Sequence, residues 1–72
     1  MFRVELHERT LGPEQPLRLL NSHFAKFDKR DEAVGYIEGL IMPSKHRGYD
    51  KEQDAWWCWN DGDTVERVLI IR

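Results

Sequence analysis

The chain has 72 residues, 40% hydrophobic and 33% charged, with a formal net charge of −2. This is enough apolar content for one small core, so residues 1–72 are read as a single domain. The near balance of acids and bases argues against a dedicated nucleic-acid binder, the lone cysteine excludes an internal disulfide framework, and no apolar run approaches the roughly 18 residues of a membrane span. The single thiol, and an N-terminal segment without a long apolar stretch, give the expectation of a cytoplasmic protein.

Phe2, Val4 and Leu6 alternate with Arg3, Glu5, His7 and Arg9. Period two with one polar side predicts a half-buried strand. The segment Leu11 to Pro16, with two prolines and a glycine, predicts a loop. Leu17 to Phe24 reads as a second strand with imperfect alternation, joined to the first as an antiparallel hairpin. A hairpin turning at residues 13 and 14 would set His23 opposite Val4.

Asp28 is the expected N-cap of a helix, with Asp31 and Glu32 suited to the positive end of its dipole. Ala33, Tyr36, Ile37, Leu40 and Ile41 form one apolar stripe at helical period, and Pro43 ends the helix. Gly35 and Gly39 are unusual inside a helix. They imply close approach of its backbone to the sheet or to a neighbouring chain.

Ser44 to Gln53 is polar and reads as a mobile loop. Ala55-Trp56-Trp57-Cys58-Trp59 has the aromatic content of a strand. Asn60-Asp61-Gly62-Asp63 predicts a hairpin turn, and Thr64 to Arg72 a closing strand. Apolar residues on both parities of that strand place it in the middle of the sheet or covered on both faces. The expected fold is α+β, in the order β-β-α-β-β, a four-stranded antiparallel sheet with one helix packed on one face.

No catalytic residues, cofactor or metal are expected. His7, His23, His46 and Cys58 lack the close ligand pairs of a structural zinc site. Cys58 among tryptophans has the surroundings of an inert buried thiol. Asp61 and Asp63 suit a turn, and the segment is too short for a calcium loop. The remaining signal is aromatic. Alternation puts Trp57 and Trp59 on one face and Trp56 with Cys58 on the other. One helix covers only one face, so at least one tryptophan is expected at the surface.

The expected function is therefore non-enzymatic protein binding, to another protein or to itself as a homodimer, with Trp56, Trp57 and Trp59 as anchors and Arg67 and Arg72 as polar partners. Lys45, His46 and Arg47 form a second candidate surface. The alternatives are a nucleic-acid accessory factor using this basic loop and Lys26, Lys29 and Arg30 near the helix start, which the acids after the loop oppose, and a small inhibitor of a host machine encoded by a mobile element.

Overall fold

The computed structural model describes residues 1–13 and 15–72. Glu14, within the expected first loop, lies outside the described residues. The elements are β1 (Phe2–Thr10), β2 (Arg18–Phe27), α1 (Arg30–Ile41), β3 (His46–Asp50), β4 (Ala55–Trp59) and β5 (Val65–Ile71). They form an α+β fold with one antiparallel sheet in the order β2-β1-β5-β4-β3.

The sheet has five strands, not four. The additional strand, β3, lies within the polar segment expected to be a loop. Its alternation is present but carried by residues with little apolar character: His46, Gly48 and Asp50 share one face, Arg47 and Tyr49 the other. β3 pairs with β4 without a register shift, from His46 opposite Trp59 to Asp50 opposite Ala55. Gly48 faces Trp57, whose ring lies across it. A Cβ on Gly48 would stand 2.5 Å from Trp57 Cζ2. The indole thereby covers the backbone that a glycine leaves bare, which offsets the poor strand preference of that residue.

β2 runs further than the expected Leu17–Phe24, because Ala25, Lys26 and Phe27 pair with Val4, Arg3 and Phe2. Val4 thus faces Ala25, not His23, and His7 faces Leu19. The register shifts between Val4 and Leu6 and again between Leu6 and His7. These two irregularities account for the broken alternation of β2. β5 takes the centre of the sheet, as its two-sided apolar pattern requires.

The helix starts later than expected. Its N-cap is Lys29, in extended conformation (φ −122°, ψ 144°), not Asp28. The Lys29 N–H donates to the Glu32 carboxylate at 3.2 Å, which satisfies one of the amides left open at a helix start. Ala33, Ile37 and Ile41 are buried against the sheet, while Tyr36 and Leu40 flank this narrow stripe and stay exposed. Under the helix lie Val4, Trp56, Cys58 and Leu69. On the opposite face Ala55, Val68 and Ile70 form a second buried group, with Trp57 packed against it.

The helix glycines do not mark a close approach to the sheet. A Cβ at Gly35 or Gly39 would meet nothing within 4 Å. Gly35→Ala and Gly39→Ala should each raise stability by about 0.5–1 kcal/mol through helix propensity. Gly48→Ala should lower it by about 1–3 kcal/mol, the usual cost of overpacking. Urea midpoints of the three variants check both signs.

Candidate interaction surfaces

The five residues expected to contact a partner do not form one patch. Trp56 belongs to the core and is 5% exposed, lying on the helix side of the sheet. Trp57 and Trp59 are half-buried on the opposite, open side. Arg72 is on that open side, whereas Arg67 pairs across β4 with Cys58 and faces the helix side. The parity of the tryptophans is thus as expected, but all three are buried or half-buried.

Each tryptophan has a neighbour that explains its place. The Trp56 ring lies 4.7 Å from that of Tyr49, with the Arg30 guanidinium 5.9 Å from its centroid. Arg30 also donates two hydrogen bonds to Asp54, at 2.8 and 2.9 Å, and the Tyr49 hydroxyl donates to the same carboxylate at 2.6 Å. Asp54 ends the β3–β4 turn with a positive φ of 51°, a conformation aspartate tolerates. This cluster ties the first turn of α1 to the tip of the β3–β4 hairpin. The Tyr49 and Arg30 hydrogen bonds hold the Asp54 carboxyl below its ordinary pKa, and Asp54 in turn raises those of Tyr49 and Arg30.

On the open side, Trp59 stacks on His46 with centroids 3.8 Å apart and planes 22° apart. His46 Nε2 lies 2.8 Å from Asp61, which also pairs with Lys45. These two hydrogen bonds, Lys45 first, lower the Asp61 pKa. Asn60 Oδ1 accepts the Lys45 N–H at 2.8 Å. The second candidate surface is therefore divided. Lys45 and His46 are engaged by the β4–β5 turn, while Arg47 points to the helix side and donates to the Ser44 carbonyl at 2.9 Å.

Further open-side charges are paired. Glu5 lies 3.0 Å from His7 Nε2 and accepts from Arg72 at 3.2 Å. These contacts, His7 foremost, lower the Glu5 pKa against the opposing effect of burial. Arg9 pairs with Glu66. Among the described residues no three His, Cys, Asp or Glu side chains converge as metal ligands, and no helix is long and apolar enough to cross a membrane.

The helix side differs. Two grooves flank the C-terminal turn of α1, and Ile41 lines both. One, of about 390 Å³, runs between α1 and β3 and is lined by Glu38, Met42, Arg47, Tyr49 and Trp56. The other, of about 230 Å³, is lined by Leu6, Phe24, Leu40, Cys58 and Arg67. Leu40 is 41% exposed, Met42 65% and Tyr49 48%. Sequence reasoning missed these three as surface residues. Leu40 was assigned to the apolar stripe, Met42 follows the stripe, and Tyr49 lay in the expected loop. For Leu40 and Met42 the signal is an apolar stripe wider than a helix of 12 residues buries.

No protein-family model, curated protein or solved structure matches the chain.

Asp54 sets a pH dependence. Its folded-state pKa is lowered, so its contribution is present above its unfolded pKa and is lost as pH falls through the folded value. Acidification below about pH 4 should therefore destabilise the wild-type chain more than Asp54→Asn, which keeps the turn but removes the ionised partner. Urea midpoints of both proteins across the acid range measure the difference.

Proposed function

We propose that the protein is a non-enzymatic interaction module, and that it binds another protein through the surface around the C-terminal turn of α1. The observation that carries this reading is the position of Leu40 and Met42. Both are exposed apolar side chains, and they stand beside two grooves that share Ile41 as a common wall. Apolar anchors seated in pockets, with a polar rim, are the usual source of binding energy at protein interfaces.

Arg47 and Arg67 border the two grooves, and neither forms an ion pair among the described residues. A partner segment carrying apolar side chains next to acidic ones complements this surface in shape and charge. Of the residues the sequence singled out, Trp56, Arg47 and Arg67 thus border the proposed interface. Trp57, Trp59 and Arg72 are on the open side, engaged with Gly48, His46 and Glu5 respectively.

Leu40→Gln and Met42→Gln test the proposal, because exposed substitutions to a good helix former change stability by less than about 0.5 kcal/mol. A partner retained from nuclease-treated lysate by the wild-type chain should bind the double variant at least about tenfold more weakly, or about 1.4 kcal/mol. Equal binding by both, with unchanged circular dichroism, would place the interface elsewhere.

A further inference from the structure

The two edges of the sheet differ. β2 and β3 are the terminal strands, so each has one row of backbone N–H and C=O groups without a strand partner. The β2 edge is interrupted by two register shifts, which re-aim its backbone and hinder a regular ladder with a further strand. β3 has no register shift and no proline, and Gly48 stands at its middle. Natural edges are protected by irregularity, short length or charge; β3 is short and carries Arg47 and Asp50, but its ladder is regular.

We infer that β3 pairs antiparallel with β3 of a second copy, about a twofold axis at Gly48, to form one continuous sheet of two chains. The reading goes beyond the groove surface: it uses the backbone edge of β3, and it sets Arg47 and Tyr49, which also line the α1–β3 groove, opposite one another across the twofold axis. What commits the edge to a second copy is its self-complementarity. Residues opposite one another in an antiparallel pair share a face, so a twofold pairing can match only positions of equal parity. Centred on Gly48, it places His46 opposite Asp50 and Arg47 opposite Tyr49, twice each, with glycine facing glycine between them.

A guanidinium beside a tyrosine ring is an attractive cross-strand neighbour, and an imidazolium beside a carboxylate is a second when His46 carries both ring protons. Among the described residues His46 Nδ1 has no partner; with Nε2–H donated to Asp61, an Nδ1–H that Asp50 can accept is present only in the imidazolium, and Asp50 Oδ2 is open because Oδ1 accepts from the Glu52 and Gln53 N–H groups. Tyr49 is 48% exposed, and Arg47 is exposed. The neighbouring registers fail on charge. Shifting by one pair in one direction puts Arg47 opposite Arg47, and in the other puts Arg47 opposite Lys51.

The consequence is architectural. A twofold axis normal to the sheet keeps both copies of α1 on one side, so the α1–β3 grooves of the two copies adjoin across the new strand pair. A ladder of five residue pairs is small beside the roughly 800 Å² per partner of a standard stable interface. The expected dissociation constant is therefore on the order of micromolar or weaker.

Paired cysteine variants test the register. In the inferred dimer, residue 47 faces residue 49 of the other copy within disulfide range, whereas two copies of residue 47 lie about 8 Å apart, beyond it. A mixture of Arg47→Cys and Tyr49→Cys chains should give the mixed disulfide roughly tenfold over either homodisulfide under mild oxidation. The wild-type chain, whose only thiol is the buried Cys58, supplies the blank. A mixed disulfide at no more than the statistical twofold excess over either homodisulfide would overturn the register. Amide exchange of the wild-type chain tests the pairing without substitution. Alternate β3 amides should exchange more slowly as protein concentration rises, while β2 amides do not change. A β3 edge indifferent to concentration up to about millimolar would overturn the dimer. Neither result bears on the Leu40 and Met42 surface, which is read separately by partner capture.

Discussion

The Trp57 ring lying over Gly48 is the contact from which much of the architecture follows. Without that cover a strand of His46, Arg47, Gly48, Tyr49 and Asp50 has little to hold it, because only one of its residues has strong strand preference. With it, β3 joins β4 in unbroken register and the sheet gains a fifth strand. Two further contacts fasten the ends of β3. Asp61 and Asn60 hold the Lys45–His46 end, and Asp54 joins Tyr49 and the helix start at the turn. The polar side chains that make the segment look like a loop are thus the ones that secure it as a strand.

A fifth strand changes what the helix can cover. Five strands span roughly 19 Å between the outer two, whereas a helix with its side chains is about 10 Å across. The helix buries only Ala33, Ile37 and Ile41, and a margin of sheet remains on each side of its C-terminal turn. Those margins are the two grooves. The open side of the sheet meets the same shortage differently, by pairing its charges as Arg9 with Glu66 and Glu5 with Arg72, and by laying Trp57 over the buried Val68, Ile70 and Ala55. Leu40, Met42 and Tyr49 are exposed on the helix side, while Leu19 and Leu20 are exposed on the edge strand β2.

Where a feature depended on local period it was legible in the sequence. The alternation of β1, the stripe of α1 and the two-sided apolar run of β5 each predict the observed element, and the last also predicts its central position. β3 was not legible, because its stability comes from a residue nine positions away that covers a glycine. The start of α1 was displaced because Glu32 reaches back to Lys29, which satisfies the first turn without the Asp28 carboxylate. For the candidate site, parity assigned each tryptophan to its face correctly. Exposure was beyond its reach, since that depends on which strand lies alongside, and the neighbour of Trp57 and Trp59 is the strand that composition concealed.

Three tryptophans in five residues invite a reading as binding anchors, yet each one meets a structural need here. Trp56 supplies bulk to a core that a short helix covers thinly. Trp57 makes a glycine tolerable in a strand, and Trp59 gives His46 a surface on which to stack while it holds the β4–β5 turn. In a chain of 72 residues Trp56, Trp57 and Trp59 serve to complete the fold, and the apolar residues left uncovered around α1 are Leu40 and Met42. The relevant quantity is then not how aromatic a segment is but how much sheet its neighbours fail to cover. By that measure the surface to examine is the C-terminal turn of α1, where two grooves meet at Ile41 and Met42 is the most exposed large apolar side chain beyond the first residue.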